Sequence, residues 1–260
     1  MFMLAAPGLA ITLGLNAQTF TVLHTFDSSD GANPQDGVIL SSNRFYGITI
    51  YGGSNGVGTV FALNTDGTGF TNLYNFTGGI DGYEPCRSLL LSGNTLYGTA
   101  LSGGSNGDGT IFALNTDGTG FTNLYAFTGG SNGETPLGGL ILSSNTLYGT
   151  TRSGGIFGAG TIFAMNTDGT GFTNLHSFNS FNVNDGAGPN GGLILLGNTL
   201  YGTTFQGGSN NDGTVFASIL TARILRTCIV SPCSALQMVP IVMELIRDPA
   251  LFYRATHYMG

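Results

Sequence analysis

The chain has no lysine and no tryptophan, and charged residues make up only 8% of its 260 positions. Without lysine, and with a formal net charge of −7, it lacks the basic surface that nucleic-acid binding uses to displace counterions. Cysteine is scarce as well. Of Cys86, Cys228 and Cys233 only the first lies in the body of the chain, so no disulfide framework holds the fold. Cys228 and Cys233 have no nearby histidine pair to complete a metal-ligand pattern. No apolar run suits a membrane span either. The longest candidate, Met1 to Ala17, is short for a bilayer and is interrupted by Pro7.

What the chain has in quantity is glycine, 44 residues, together with a sentence of about fifty residues written four times. One copy contains TLYGTALSGGSNGDGTIFALNTDGTGFTNLYAFTGG. Tyr46, Tyr97, Tyr148 and Tyr201 hold one position, and Phe61, Phe112, Phe163 and Phe216 another, in steps of 51, 51 and 53 residues. A fixed period of this size means a repeat architecture and decides the fold before any local motif does. Aromatic and aliphatic residues recurring on that period separate the chain from disordered low-charge sequences.

Each period holds four short β-like runs divided by turn signals. In the second full period they are Thr95–Thr99, Thr110–Asn115, Phe121–Phe127 and Gly139–Leu142. The run Leu140-Ile141-Leu142 is continuously apolar, as expected for a strand covered on both faces. Phe121, Tyr125 and Phe127 have even spacing, which predicts one shared face. Asn115-Thr116-Asp117-Gly118 and Ser143-Ser144-Asn145 predict hairpin turns, because Asn, Asp and Gly tolerate positive φ. The pairs Gly52-Gly53, Gly103-Gly104, Gly154-Gly155 and Gly207-Gly208 open longer loops. Four strands in about fifty residues is the anatomy of a propeller blade. A β-solenoid, with coils of about twenty to thirty residues, would need two coils per period and fits less well. The expectation is an all-β, β-propeller-like array of four-stranded blades. With four repeats over 18–217, it is an incomplete or open propeller.

The aromatic-glycine strand, the Gly-Gly pair and the aromatic strand that follows resemble kelch repeats, without their tryptophan. A closer resemblance rests on LYGTT, GTIFALNTDGTGFTNLY and the following proline and Gly-Leu-Ile-Leu. These are similar to the GloVer-type tandem repeat of bacterial secreted and surface proteins, and the likeness runs over residues 20–217. It implies an exported repeat protein and suggests no reaction.

Candidate chemistry is sparse. The loop Asn64-Thr65-Asp66-Gly67-Thr68-Gly69 recurs at 115–120 and 166–171. Its oxygens could meet Ca²⁺, but it lacks the acids and the distal bidentate Glu of an EF-hand, so a hairpin turn is the better reading and no cofactor is expected. His24 and His176 occupy the register of Tyr74 and Tyr125, as substitutes in an aromatic column. Asp30, Asp81 and Asp185 precede glycine in the loop before the buried strand, and Glu84 and Glu134 follow in two copies. A ring of such carboxylates at a propeller mouth could bind a cation or a sugar. Solvated turns are the plainer alternative. No Ser/His/Asp or Cys/His constellation can be assembled from the residue types. The favoured function is a secreted or cell-surface scaffold binding an extracellular glycan or protein. The alternatives are a propeller-based polysaccharide hydrolase or lyase, and a nonfunctional fragment of a longer repeat protein.

Both ends of the chain differ from its body. Residues 1–17 are apolar and end in a small residue just before the repeat begins, like a signal peptide cleaved after Ala17, which suits an extracellular or surface location. Residues 1–217 carry twelve acids and three arginines, whereas 218–260 carry two acids and four arginines. The break falls inside a motif. After Phe216-Ala217, the repeat requires Leu-Asn-Thr-Asp-Gly and the chain reads Ser-Ile-Leu-Thr-Ala. The codons GCC CTC AAT ACT GAC GGC, stripped of one C, encode Ala-Ser-Ile-Leu-Thr-Ala. Residues 218–260 therefore read as a fifth copy in a shifted frame. Sequencing the gene is expected to show those codons short of one base. Codons after Ala217 that cannot be restored to the repeat by a single insertion would remove this reading.

Overall fold

The structure, a computed structural model, describes residues 19–220. The signal-peptide-like segment 1–17 and the tail beyond Leu220 lie outside the described residues. Sixteen strands form four antiparallel sheets, one per repeat. Blade 1 comprises β1 (Ile39–Ser41), β2 (Arg44–Thr49), β3 (Thr59–Asn64) and β4 (Thr71–Asn75). Blade 2 comprises β5 (Tyr83–Ser92), β6 (Thr95–Ser102), β7 (Thr110–Asn115) and β8 (Thr122–Ala126). Blade 3 comprises β9 (Ile141–Ser143), β10 (Thr146–Thr151), β11 (Thr161–Asn166) and β12 (Thr173–Ser177). Blade 4 comprises β13 (Gly186–Pro189), β14 (Ile194–Leu196), β15 (Thr199–Gly207) and β16 (Thr214–Ile219).

The chain is therefore a propeller-like array, with the apolar run placed as the first strand of the following blade. Strand alternation supplies each blade with two apolar faces. Tyr97, Ile111 and Ala113 face forward onto Leu140, Leu147, Phe163 and Met165 of blade 3. Leu96, Phe112 and Leu114 face back onto Tyr46, Ile48, Val60 and Ala62 of blade 1. In blade 3 the short first strand packs on both sides, whereas Leu40 of blade 1 and Ile194 and Leu196 of blade 4 are exposed. Leu140 and Leu142 meet the blade 2 cluster and Ile141 meets the blade 4 cluster.

One expectation is corrected. Phe121 does not share a face with Tyr125 and Phe127. Phe121 packs back on the blade 1 cluster, while the other two pack forward. The cause is a β-bulge: Phe112 pairs with Asn123 but Ile111 pairs with Tyr125, leaving Leu124 as the extra residue. One inserted residue inverts the alternation of everything beyond it. The bulge recurs in blades 1 and 3. Its consequence is a stack between blades. Tyr74 lies on Phe121 with ring centroids 3.8 Å apart and planes at 5°, and Tyr125 lies on Phe172 at 3.9 Å and 5°.

The glycine after each repeat tyrosine is fixed by contact. Gly98 sits opposite Phe112 in the β6–β7 ladder, and a Cβ there would lie 2.4 Å from Phe112 Cζ. The Phe ring covers the gap that glycine leaves, and so fills the centre of the blade.

Among the described residues the array is open at both ends. Among the described residues no apolar cluster joins blade 4 to blade 1. Blade 4 is also short of a strand. Its β13 and β14 both pair with one edge of β15 and together occupy the place of β5, so β16 is its third strand and the described residues supply no fourth. The register through β16 puts Ser218 where Leu63, Leu114 and Met165 are buried, and leaves Ile219 exposed where the other blades carry Asn64, Asn115 and Asn166. The in/out pattern is inverted from the residue at which the repeat sequence breaks.

Gly98→Ala is expected to destabilise the protein by about 1–3 kcal/mol through overpacking against Phe112. Gly37→Ala, whose Cβ meets nothing within 4 Å, is expected to stay within about 0.5 kcal/mol of the parent. Urea denaturation of both variants checks the contrast.

Candidate functional site

The five carboxylates singled out from sequence do not form one ring. Asp30, Asp81 and Asp185 are each bound within the blade boundary they belong to. Asp81 is buried and accepts hydrogen bonds from Tyr74 Oη (3.0 Å), Thr77 N (2.8 Å) and Thr77 Oγ1 (2.6 Å). Burial and the Asp81 hydrogen bond hold the Tyr74 phenol well above the ordinary tyrosine range. His24 and His176 take the tyrosine's place beside the other two, with Nε2 2.9 Å from Asp30 Oδ2 and 3.1 Å from both Asp185 oxygens. This latch joins the end of one blade to the loop that starts the next. Blade 3 starts without it, because Asn132 stands at the aspartate position and its amide donates to Thr128 Oγ1 at 3.1 Å. Glu134 is one register position before the counterpart of Glu84. Its backbone bridges to Ser153, and its carboxylate borders Gly129 beside that of Asp108.

The turn aspartates are also engaged. Asp117 Oδ1 accepts from Thr119 N (2.9 Å) and Thr119 Oγ1 (2.6 Å), and Asp66 and Asp168 do the same with Thr68 and Thr170. Those hydrogen bonds, the side-chain one first, hold all three below the ordinary carboxylate value. Among the described residues no group of three or more His, Cys, Asp or Glu side chains is placed to hold a metal ion.

Glu84 is different. It lies on a cleft of about 290 Å³ between blades 1 and 2, lined also by Gln35, Asp36, Tyr51, Cys86 and Arg87. Arg87 shows where this cleft sits. Its Nε donates to Leu137 O (2.7 Å) in blade 3, and its Nη2 donates to Asn190 O (3.0 Å) and Asn190 Oδ1 (3.3 Å) in blade 4. One side chain thus touches three blades, so the residues just after each blade's first proline lie where the blades converge. Copies 3 and 4 place Gly138 and Gly191 at the Arg87 register, where an added Cβ would meet the Thr150 and Thr203 hydroxyls. Arg87 is held at φ 63°, on the irregular stretch of β5 between Cys86 and Leu90. Glu84 has φ 55°, as Asn33 (56°), Thr135 (59°) and Gly188 (63°) do before their own prolines. The left-handed backbone there belongs to the repeat, and the glutamate side chain belongs to blade 2.

The cleft's electrostatics follow from that glutamate. Its hydrogen bonding and its negative charge raise the phenols of both Tyr51 and Tyr83 above the ordinary tyrosine value. Cys86 is buried, and burial pushes its thiol up to about 11. A thiol of that kind is protonated and inert as a nucleophile. Its Sγ lies 3.4 Å from Pro136 O.

Asp36, Tyr51, Tyr83 and Arg87 did not stand out from the sequence. The usable signal was disagreement between copies. Tyr51 answers to Ser102, Ser153 and Gln206, and Tyr83 to Ala32, Glu134 and Ala187. The repeat motif contains none of these residues, and the cleft is lined by side chains that differ from copy to copy.

Asp81→Ala is expected to lower stability by about 1–3 kcal/mol, because it removes a buried acceptor that serves the half-buried Tyr74 hydroxyl and two donors of Thr77. Asp117→Ala, on an exposed turn, should have a far smaller effect. Thermal melts of the two variants at neutral pH check this order.

Comparison with known proteins gives one family. The Gloeobacter/Verrucomicrobia repeat matches residues 5–216. No curated relative matches the chain. Solved structures with a related course of chain include the nidogen/laminin complex, at 16% identity and TM-score 0.43, covering 67% of this chain and 59% of that one. TolB from Acinetobacter baumannii aligns at 14% identity and TM-score 0.47, covering 79% and 44%. A putative TolB from Agrobacterium tumefaciens aligns at 14% and 0.39, covering 68% and 55%. In each case the chain spans less than two thirds of the other's length. Among the described residues no helix is long and apolar enough to cross a membrane. With its motif present in four copies and matched over most of its length, the chain belongs to the Gloeobacter/Verrucomicrobia repeat family.

Proposed function

We propose that this repeat protein is a secreted or cell-surface binding scaffold, and that the cleft between blades 1 and 2 takes a glycan. The observation that carries the reading is the concentration of unrepeated polar side chains at one convergent place. Gln35, Asp36, Tyr51, Glu84 and Arg87 line one cleft, whereas Asp30, Asp81 and Asp185 are engaged in latches and Asp66, Asp117 and Asp168 in turns. Tyr51 offers a ring for stacking on a sugar face. Gln35, Asp36 and Glu84 offer acceptors for its hydroxyls. The export part of the proposal rests on the signal-peptide-like residues 1–17 and on the low, acidic charge.

A glycan array probed with the full chain is expected to give a defined set of hits, and isothermal titration with a hit is expected to lose at least tenfold in affinity for Tyr51→Ala and for Glu84→Gln. Asp117→Ala should bind as the parent does. An array without hits, or equal binding by all three variants, removes the glycan reading. Release of reducing ends from a bound polysaccharide, lost in Asp36→Asn and Glu84→Gln, would replace it with two-carboxylate hydrolysis.

A further inference from the structure

The two open ends of the arc are complementary. Blade 4 has a third strand, β16, and no described fourth. Ahead of blade 1 lies a segment with the sequence of a fourth strand and no sheet of its own. Phe20-Thr21-Val22-Leu23-His24-Thr25-Phe26 aligns residue for residue with Phe172-Thr173-Asn174-Leu175-His176-Ser177-Phe178. The segment sits against blade 1 as a preceding blade's last strand would. His24 stacks on Phe70 at 3.8 Å and 6°, and Phe26 meets Phe61 edge to face at 5.1 Å.

The exposed residues match across the gap. Val60, Ile111 and Ile162 are 0%, 0% and 1% exposed in blades 1 to 3, while Val215 at the same register is 83% exposed. The aromatic column also stops at both ends. His24 is covered by Phe70 and its side chain is 21% exposed, but His176, for which the described residues supply no blade 4 partner ring, is 42% exposed. Phe20, the counterpart of Phe70, Phe121 and Phe172, is 90% exposed. A hollow of about 470 Å³ lies between His176 and Phe178 on one side and Thr214 to Ser218 on the other, where the fourth strand of blade 4 would run.

We propose that the occupant is a second copy of this chain, whose Phe20–Phe26 segment adds to β16 and completes blade 4 by strand addition. The same step sets the forward face of blade 4 against the backward face of the second copy's blade 1, an interface type that the chain already makes three times within itself. Reciprocal exchange joins two four-blade arcs into one ring of eight blades, within the usual range of four to eight. The register follows from β11 and β12, where Ile162 pairs with His176, Phe163 with Asn174 and Ala164 with Thr173. By equivalence Val215 pairs with His24, Phe216 with Val22 and Ala217 with Thr21 of the second copy. Phe20 then stacks on the other copy's His176.

Sedimentation equilibrium of the full chain is expected to give twice the monomer mass, and Phe20→Asp is expected to give a monomer with an unchanged circular dichroism spectrum and melt onset. In a Cys228→Ser, Cys233→Ser background, Thr21→Cys with Ala217→Cys is expected to form a disulfide-linked dimer under mild oxidation, and Thr21→Cys with Asp212→Cys is not. A monomeric parent chain, whether its β16 edge is covered by its own tail or left bare, overturns the proposal. So does a Thr21/Ala217 disulfide formed within a single chain, which would mean closure in cis, or a dimer that survives Phe20→Asp.

Discussion

Everything in this molecule depends on the contact between one blade and the next. A single four-stranded sheet of this size cannot bury both of its apolar faces. Each blade has a forward face built from Tyr97, Ile111 and their equivalents, and a backward face built from Leu96, Phe112 and Leu114. Both need a neighbour. The β-bulge in the last strand joins this contact into a continuous column, because it turns Phe121 back toward Tyr74 while Tyr125 goes forward to Phe172. The same constraint explains the ends. The face that is buried in blades 1 to 3 is exposed in blade 4, to which the described residues supply no forward neighbour.

The latch of Tyr74 on Asp81, and of His24 and His176 on Asp30 and Asp185, belongs to that contact. A carboxylate that already accepts three hydrogen bonds has little capacity left for a sugar or a cation. Glu84 is free of this duty because it sits one turn of chain further on, at the convergent end of the blades. There the repeat's left-handed backbone before proline presents a side chain to the cleft. The blade contact and the cleft thus draw on different residues of the same loop.

Much of the fold was legible. The period, the strand runs, the turns with positive φ and the double-sided first strand of blade 3 could be read from residue spacing, because they are local or simply repeated. The face of Phe121 could not. A bulge is set by which hydrogen bonds the neighbouring strand offers, and no residue in FTNLYAF marks Leu124 as the extra one. The site was less legible still. Asp30, Asp81 and Asp185 have the right chemistry for a mouth, but their partners lie six, seven and nine residues away in sequence and are identifiable only once the loop is folded. Arg87 reaches carbonyls 50 and 103 residues away, a distance over which spacing carries no information.

By itself the sequence determined the unit: an antiparallel sheet of about fifty residues, its turns, its glycines and the number of legible copies. It also located, at Ala217, the point where the unit stops. Tertiary structure decided how the units face one another, which carboxylates are consumed at the boundaries, and that blades 1 and 2 enclose a cleft of unlike residues. The reason is physical. A repeat writes the same local energies four times, whereas a cleft or an open end exists only where the surroundings of two equivalent residues differ.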